Sequence, residues 1–281
     1  MDATAVEQAG WTRVGDHEWV RTERPAHVNL GLVVGTERAL VVDTGAGPRS
    51  AGRHLEAVRL ITDLPLIAVN THHHYDHALG NHAFAQAGVT EVWGHPATIE
   101  ALDGYGEQQR AEITDEDDEP EMKAASGPGT RIIPPTHAVT GGLQELDLGD
   151  HAVTLTHLGR AHSAGDLLVA SSGVLFAGDV VEQGNAPQFA DSFPREWLKV
   201  IGKIIALDEI HEHIVPGHGQ VMSPDLVRGH YHRLDQAIRV AEAALDEHAT
   251  DATKSIPVLP FGPIQSRYFL NRLKETRDED V

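Results

Sequence analysis

No cysteine occurs anywhere in the 281 residues. That absence excludes disulfides, thiolate zinc ribbons and thiol nucleophiles. Positive charge is scarce as well, with 22 Lys and Arg against 42 Asp and Glu, a formal charge of −20 and no basic cluster. Phosphate backbones require local positive charge, so nucleic acid is not an expected partner. No apolar run approaches the roughly 20 residues that cross a bilayer, so no membrane partner is expected either. The opening residues, MDATAVEQAGW, show no basic segment followed by an apolar one, hence no evident signal peptide. The expectation is a soluble, cytoplasmic protein acting on a small molecule.

What the chain has in excess is histidine, 19 in all. His17, His27, His54, His151, His211, His213, His230, His232 and His248 sit in ordinary strand, turn or helix contexts and are read as structural. The run THHHYDH at 71–77 is different, because His72, His74, Asp76 and His77 fall within six residues. Packing or solubility alone does not explain that density. Imidazole suits divalent zinc, and an added carboxylate lets one short loop serve two neighbouring ions. The apolar stretch LIAVN at 66–70 precedes the run, placing it at the end of a buried strand, where α/β proteins hold their chemistry.

The order of elements follows from periodicity and turn residues. Strands are predicted at 18–21, 27–34, 39–42, 66–69 and 91–93, with helices from Pro48 to Asp63 and from Ala97 to about Glu112. Strands are then predicted at 131–133, 144–148, 151–157, 167–170, 174–177 and 212–215, with helices at 194–207 and 224–248. Residues 255–263 read as extended and 267–278 as a terminal helix. Six carboxylates between Asp115 and Glu121, followed by SGPG at 126–129, read as a solvated insertion in preference to a lid over the site. Strands then helices in both halves predict an α/β fold, two mixed sheets sandwiched between outer helices. No linker separates domains, so residues 1–225 are expected to form the catalytic unit, with 226–281 a helix and tail packed on it.

Three more candidate ligands end predicted strands: His162 in AHSAGD, Asp179 in FAGD and His218 in VPGHG. Each alone is weak; with the histidine run they make a set. That set resembles the ordered motifs of the metallo-β-lactamase superfamily, and VVDTG at 41–45 resembles its first motif. The resemblance covers roughly residues 10 to 225. It implies a four-layer αβ/βα sandwich with a dinuclear zinc site, and a hydrolase. His72, His74 and His162 would hold one ion, Asp76, His77 and His218 the other, and Asp179 would bridge both. Asp43 matches an aspartate that orders the ligand loop without being a ligand. Two divalent ions can lower the pKa of a bridging water to about 7 and supply hydroxide at neutral pH. Asp76 is the expected catalytic residue, orienting the hydroxide or passing its proton to the leaving group.

The best-known β-lactamases of the superfamily carry a cysteine where Asp179 stands, so a β-lactam is not the expected substrate. Glyoxalase II shares all seven ligands, but its glycine- and arginine-bearing stretch does not match VVEQGNAPQFADSFPREW at 180–197. The segment from Leu175 to Gly219, together with the NTHHHYDHALGN run at 70–81, looks like the β-lactamase-like hydrolases that include quinoprotein-relay-associated zinc metallohydrolases. The expected reaction is hydrolysis of an acyl ester, thioester, lactone or amide. Zinc is expected over iron or manganese. A mononuclear iron dioxygenase and a non-catalytic metal-binding relic are the competing readings. Tyr75, Trp93, His95, Asn185, Gln188, Phe189 and Phe193 are weak candidates for substrate contact. His73 is expected to point away from the metals, and His82 carries no assigned role.

Overall fold

The computed structural model describes residues 3–113, 119–123, 131–184, 186–207, 209–247 and 252–277. Most of the acidic run, the SGPG segment and Asn185 lie outside the described residues.

After helix α1 (Ala3–Gln8), strands β1 (Trp11–Arg13), β2 (Glu18–Glu23), β3 (Val28–Val34) and β4 (Ala39–Val42) form an antiparallel meander. Helix α2 (Pro48–Arg59) then carries the chain to β5 (Leu66–Val69), parallel to β4. The short helices α3 (Tyr75–Ala78) and α4 (Asn81–Gln86) lead to β6 (Val92–Gly94), and α5 (Pro96–Glu112) and α6 (Pro120–Lys123) precede β7 (His137–Ala138). Both strands add in parallel, completing a seven-stranded sheet in sequence order. The second sheet has β8 (Leu143–Asp147), β9 (Ala152–Thr156), β10 (Leu168–Ser171) and β11 (Val174–Gly178) in antiparallel succession. After α7 (Pro194–Ile205), strand β12 (His213–Pro216) joins parallel to β11 at the edge. Helix α8 (Pro224–Glu247), a 3₁₀ segment (Ala252–Val258) and α9 (Gly262–Glu275) follow.

Strand alternation distributes the core into three apolar layers, which makes the four-layer α/β sandwich. Leu40, Val42 and Val69 face Val153, Leu155 and Phe176 between the sheets. Val41 and Ala68, one residue out of phase, face Ala51 and Val58 of α2 and Phe84 of α4. On the far side Leu175 and Ile214 pack beneath Trp197, Ile201, Leu234 and Phe269 from α7, α8 and α9. The central strands read as continuous apolar runs because both their faces are covered.

Two expectations fail. Residues 131–133 form no strand; Pro134 and Pro135 supply no amide donors, and pairing with β6 resumes at His137. Residues 255–263 are not extended: they contain the end of the 3₁₀ segment, a turn and the start of α9. The positive φ of Gly262, +69°, and Pro263 in the first turn start that helix five residues earlier than expected.

The acidic segment has a fixed far end. The buried carboxylate of Glu119 accepts the backbone N–H of Ser50 (2.6 Å) and Arg49 (3.0 Å), capping α2 from outside its own sequence. Arg49 also pairs with Glu121 at 2.9 Å. The solvated-insertion expectation therefore does not hold for Glu119.

Candidate metal centre

Four strands, β4, β5, β11 and β12, end on the same edge of the sandwich, and the loops that leave them carry Asp43, the histidine run, Asp179 and His218. His162 arrives from the loop between β9 and β10. All seven sequence-predicted ligands meet there. Donor atoms of His72, His74, His162 and Asp179 lie within 4.8 Å of one another, and so do those of Asp76, His77 and His218. Asp179 joins the groups: its Oδ2 is 3.4 Å from His162 Nε2 and 3.8 Å from His72 Nε2, while its Oδ1 is 3.2 Å from His77 Nε2 and 3.7 Å from His218 Nε2. Asp76 Oδ2 is 3.2 Å from His218 Nε2.

Several of these atoms are buried yet have no hydrogen-bond partner among the described residues: His72 Nε2, His77 Nε2 and Asp179 Oδ1. Buried polar atoms left this way are costly unless something else meets them. Two imidazole nitrogens and a carboxylate oxygen left this way, within one cluster of His and Asp donors, fit divalent cations bound by N and O donors. The donor set therefore suits the metal that the sequence implied.

The backbone around these atoms is tightly determined. Asp43, at φ +63°, accepts Thr71 N–H and Thr71 Oγ1–H at 2.7 and 2.8 Å, and its Oδ2 meets His77 Nδ1 at 2.7 Å. Asn70 Nδ2 donates to His77 O, Asn81 Nδ2 to Asn70 Oδ1, and Thr44 Oγ1 to Asn81 Oδ1, at 3.1, 2.7 and 2.8 Å. From β3 of the first sheet, Asn29 Nδ2 reaches across to the His218 loop of the second, donating to Pro216 O (2.9 Å) and Gly219 O (2.8 Å). Gly217 is required at its position, because a Cβ there would lie 1.7 Å from Asp179 Oδ1.

Charge is concentrated here. Burial alone would lower the pKa of His77, but Asp179, Asp43 and Asp76 outweigh it and hold the ring well above its ordinary value. For His218 the same contest, with Asp179 and Asp76 against burial, ends at about 9. Burial dominates at His162, which falls to about 3. Asp179 stays well below the usual carboxylate range; the surrounding His77, His218 and His162 overcome its burial. In the metal-free chain protons sit where cations would, so metal binding releases them.

Three residues emerge that sequence reasoning did not assign. Asp191 lies 3.1 Å from His74 Nε2 and 3.2 Å from His73 Nε2. His73 is thus outside the seven-residue cluster but faces the same cavity, contrary to its expected direction. Glu182, buried, has its Oε1 3.9 Å from His162 Nδ1, and burial followed by the nearby Asp179 pushes its pKa well up. Asp191 and Glu182 lie in an irregular loop, where no periodicity singles them out. Tyr75, Gln188 and Phe193 line a cavity of about 1130 Å³ open to the site, opposite Tyr105 of α5 and beside Tyr268 of α9. Phe189 is instead fully buried in the core, His95 stacks on His157, Trp93 packs near His137, and His82 accepts Arg131 N–H at 3.2 Å.

A family model described as the Metallo-beta-lactamase superfamily matches residues 24–241. Among characterised proteins, the chain is 30% identical over 212 residues to the acyl-coenzyme A thioesterase MBLAC2 of Bos taurus, covering 68% of this chain and 72% of that one. The Gallus gallus MBLAC2 thioesterase is 31% identical over 211 residues with the same coverage. A metallo-beta-lactamase from Pontibacter korlensis superposes with a TM-score of 0.65 at 20% identity, over 80% of this chain and 98% of that one. The DIM-1 metallo-beta-lactamase gives 0.62 at 16% identity, over 81% and 97%.

Proposed function

The chain belongs to the metallo-beta-lactamase superfamily, and on that footing we propose that it is a two-zinc hydrolase of acyl thioesters. The observation that carries this reading is Asp179, whose two oxygens face the two separate ligand groups. His72, His74 and His162 would hold the first ion, and Asp76, His77 and His218 the second, with Asp179 shared. Bound there, a pair of divalent ions supplies Lewis-acid activation of a carbonyl and of water. The residues of the chain do the rest. Asp76, buried beside His218, has an oxygen directed into the cluster from which to orient water and take its proton. The cavity wall formed by Tyr75, Tyr105, Phe193 and Tyr268 would take the apolar part of an acyl substrate.

The thioester is favoured over ester, lactone or amide by the thioesterase relatives. Asp179 in place of cysteine agrees with a substrate other than a β-lactam. No described helix is long and apolar enough to cross a membrane, and the acidic surface suits a dissolved small-molecule substrate.

Metal analysis and a substrate panel test this together. Protein purified without added metal should carry about two zinc ions per chain and cleave acyl thioesters ahead of chromogenic lactam, lactone and phosphodiester probes. A single iron per chain would replace the hydrolase with a dioxygenase. Silence across the panel with metal bound would leave a binding protein. Asp76→Asn should abolish turnover while the fold, read by circular dichroism, persists.

A further inference from the structure

Both ring nitrogens of His74 meet polar side chains. Nδ1 faces His162 Nε2 at 2.9 Å, inside the first ligand group. Nε2 faces both oxygens of Asp191, at 3.2 and 3.1 Å. His73 Nε2 approaches Asp191 Oδ2 from the other side at 3.2 Å. One carboxylate thus sits between two imidazoles, and only one of them belongs to the ligand set.

The turn that carries Asp191 is held at three points. Phe193 N–H donates to Ala161 O (2.8 Å), directly beside His162, and Arg272 Nε donates to Ser192 O (2.7 Å) from α9. Ser192 Oγ donates to Phe189 O (3.2 Å) within the turn. A carboxylate on so constrained a turn has a fixed position relative to the ring it faces.

A carboxylate accepts and does not donate, so the nitrogen facing it carries the proton. In a neutral imidazole the other nitrogen is then bare. We infer that Asp191 is a positioning residue: with His73 steadying it, it keeps the proton of His74 on Nε2 and so presents Nδ1 as a metal donor. This rests on the two-metal reading given above. It also assigns His73, which the ligand pattern leaves over, to the support of the carboxylate. Partners of this kind commonly change metal affinity about 10–100-fold when removed.

The test measures metal binding and not only turnover. Wild-type and Asp191→Ala proteins are stripped of metal and titrated with zinc against a chromogenic chelator, and the cobalt-substituted forms are compared by visible absorption. The expected result is that one of the two ions weakens about 10–100-fold, the other is unchanged, and the cobalt spectrum of the affected site alters. Asp191→Asn, which keeps an acceptor oxygen, should recover part of the loss. Two ions bound with wild-type affinity and spectrum in Asp191→Ala would overturn the role of Asp191 while leaving the two-metal reading intact. A wild-type protein that binds no divalent metal would overturn both. The side chain of Asp191 is 41% exposed, so alanine there removes no core packing. Should the variant still fail to fold, the zinc-loaded wild-type protein decides by proton–nitrogen correlation of the His74 ring. A proton on Nε2 supports the assignment, and a proton on Nδ1 overturns it.

Discussion

Replacing Asp43 by asparagine changes one atom and should disable the second metal group. The carboxylate makes three hydrogen bonds: Thr71 N–H to Oδ1, and Thr71 Oγ1 and His77 Nδ1 to Oδ2. Asparagine tolerates the left-handed backbone at φ +63°, so the substitution does not strain the main chain as alanine would. Its single carbonyl oxygen cannot serve both sides. If that oxygen stays on Thr71 N–H, the new NH₂ faces His77 Nδ1, and the ring must move its proton to Nε2. That is the nitrogen 3.2 Å from Asp179 Oδ1, directed at the ligand cluster. If the amide flips, a buried Thr71 N–H loses its acceptor at a cost of about 1–3 kcal/mol. In the first arrangement a ligand nitrogen is blocked; in the second the ligand loop is loosened.

The expected consequence is a loss of about 10–100-fold in affinity for the second ion, about 1.4–2.8 kcal/mol of binding free energy. The metal-free protein should lose only about 1–2 kcal/mol of stability, since a charge-assisted bond is exchanged for a neutral one. Chelator competition reads the first quantity and urea unfolding in excess chelator the second. A variant that binds both ions as the wild-type protein does would show that Asp43 does not set the His77 tautomer, and the reasoning would be wrong.

Glu119→Ala should lower stability by about 1–3 kcal/mol, because two N–H groups at the start of α2 lose their acceptor; Glu119→Gln, which keeps one oxygen, should recover part of it in urea unfolding. His230 supplies a pH dependence. Burial, and then Arg233, lower its pKa to about 4 from the ordinary 6.5. Above pH 6.5 both folded and unfolded chains are neutral there and the residue contributes nothing to the slope. Between pH 6.5 and 4 only the unfolded chain takes up the proton, so stability falls with falling pH, by up to about 3 kcal/mol in total. His230→Gln should remove that part of the slope, and an unchanged pH profile of the unfolding midpoint would contradict it.

Most ligand positions were legible because they follow an apolar strand: LIAV before His72, VLFAG before Asp179, and HIVP before His218. A buried strand is a strong sequence signal, and a ligand tied to its end inherits that signal. The sandwich itself was legible for the same reason. What was missed lies in segments without a period. Asp191 and Glu182 are ordinary acidic residues in a loop, and only the folded chain brings Asp191 to His74, 117 positions away. His73 misled differently: strict alternation assumes an extended chain, but the run turns into α3 at Tyr75, and that turn brings its ring beside Asp191. Glu119 was hidden by its company, since a run of like charges reads as solvated whichever member is buried. Proline explains the misplaced strand at 131–133, where an apolar pair precedes two residues that offer no donor.

Sheet one contributes His72, His74, Asp76 and His77 to the cluster, and sheet two contributes His162, Asp179 and His218. Neither half of the sandwich holds a complete set. A cation seated among them would act as a rivet between the two halves, at the edge where the apolar layer between them gives way to polar side chains. Its removal would weaken the seam before either sheet loses its own hairpins. Loading and holding together are then one event in this protein, and a protease that samples the opened seam would distinguish the filled from the stripped chain without any substrate at all.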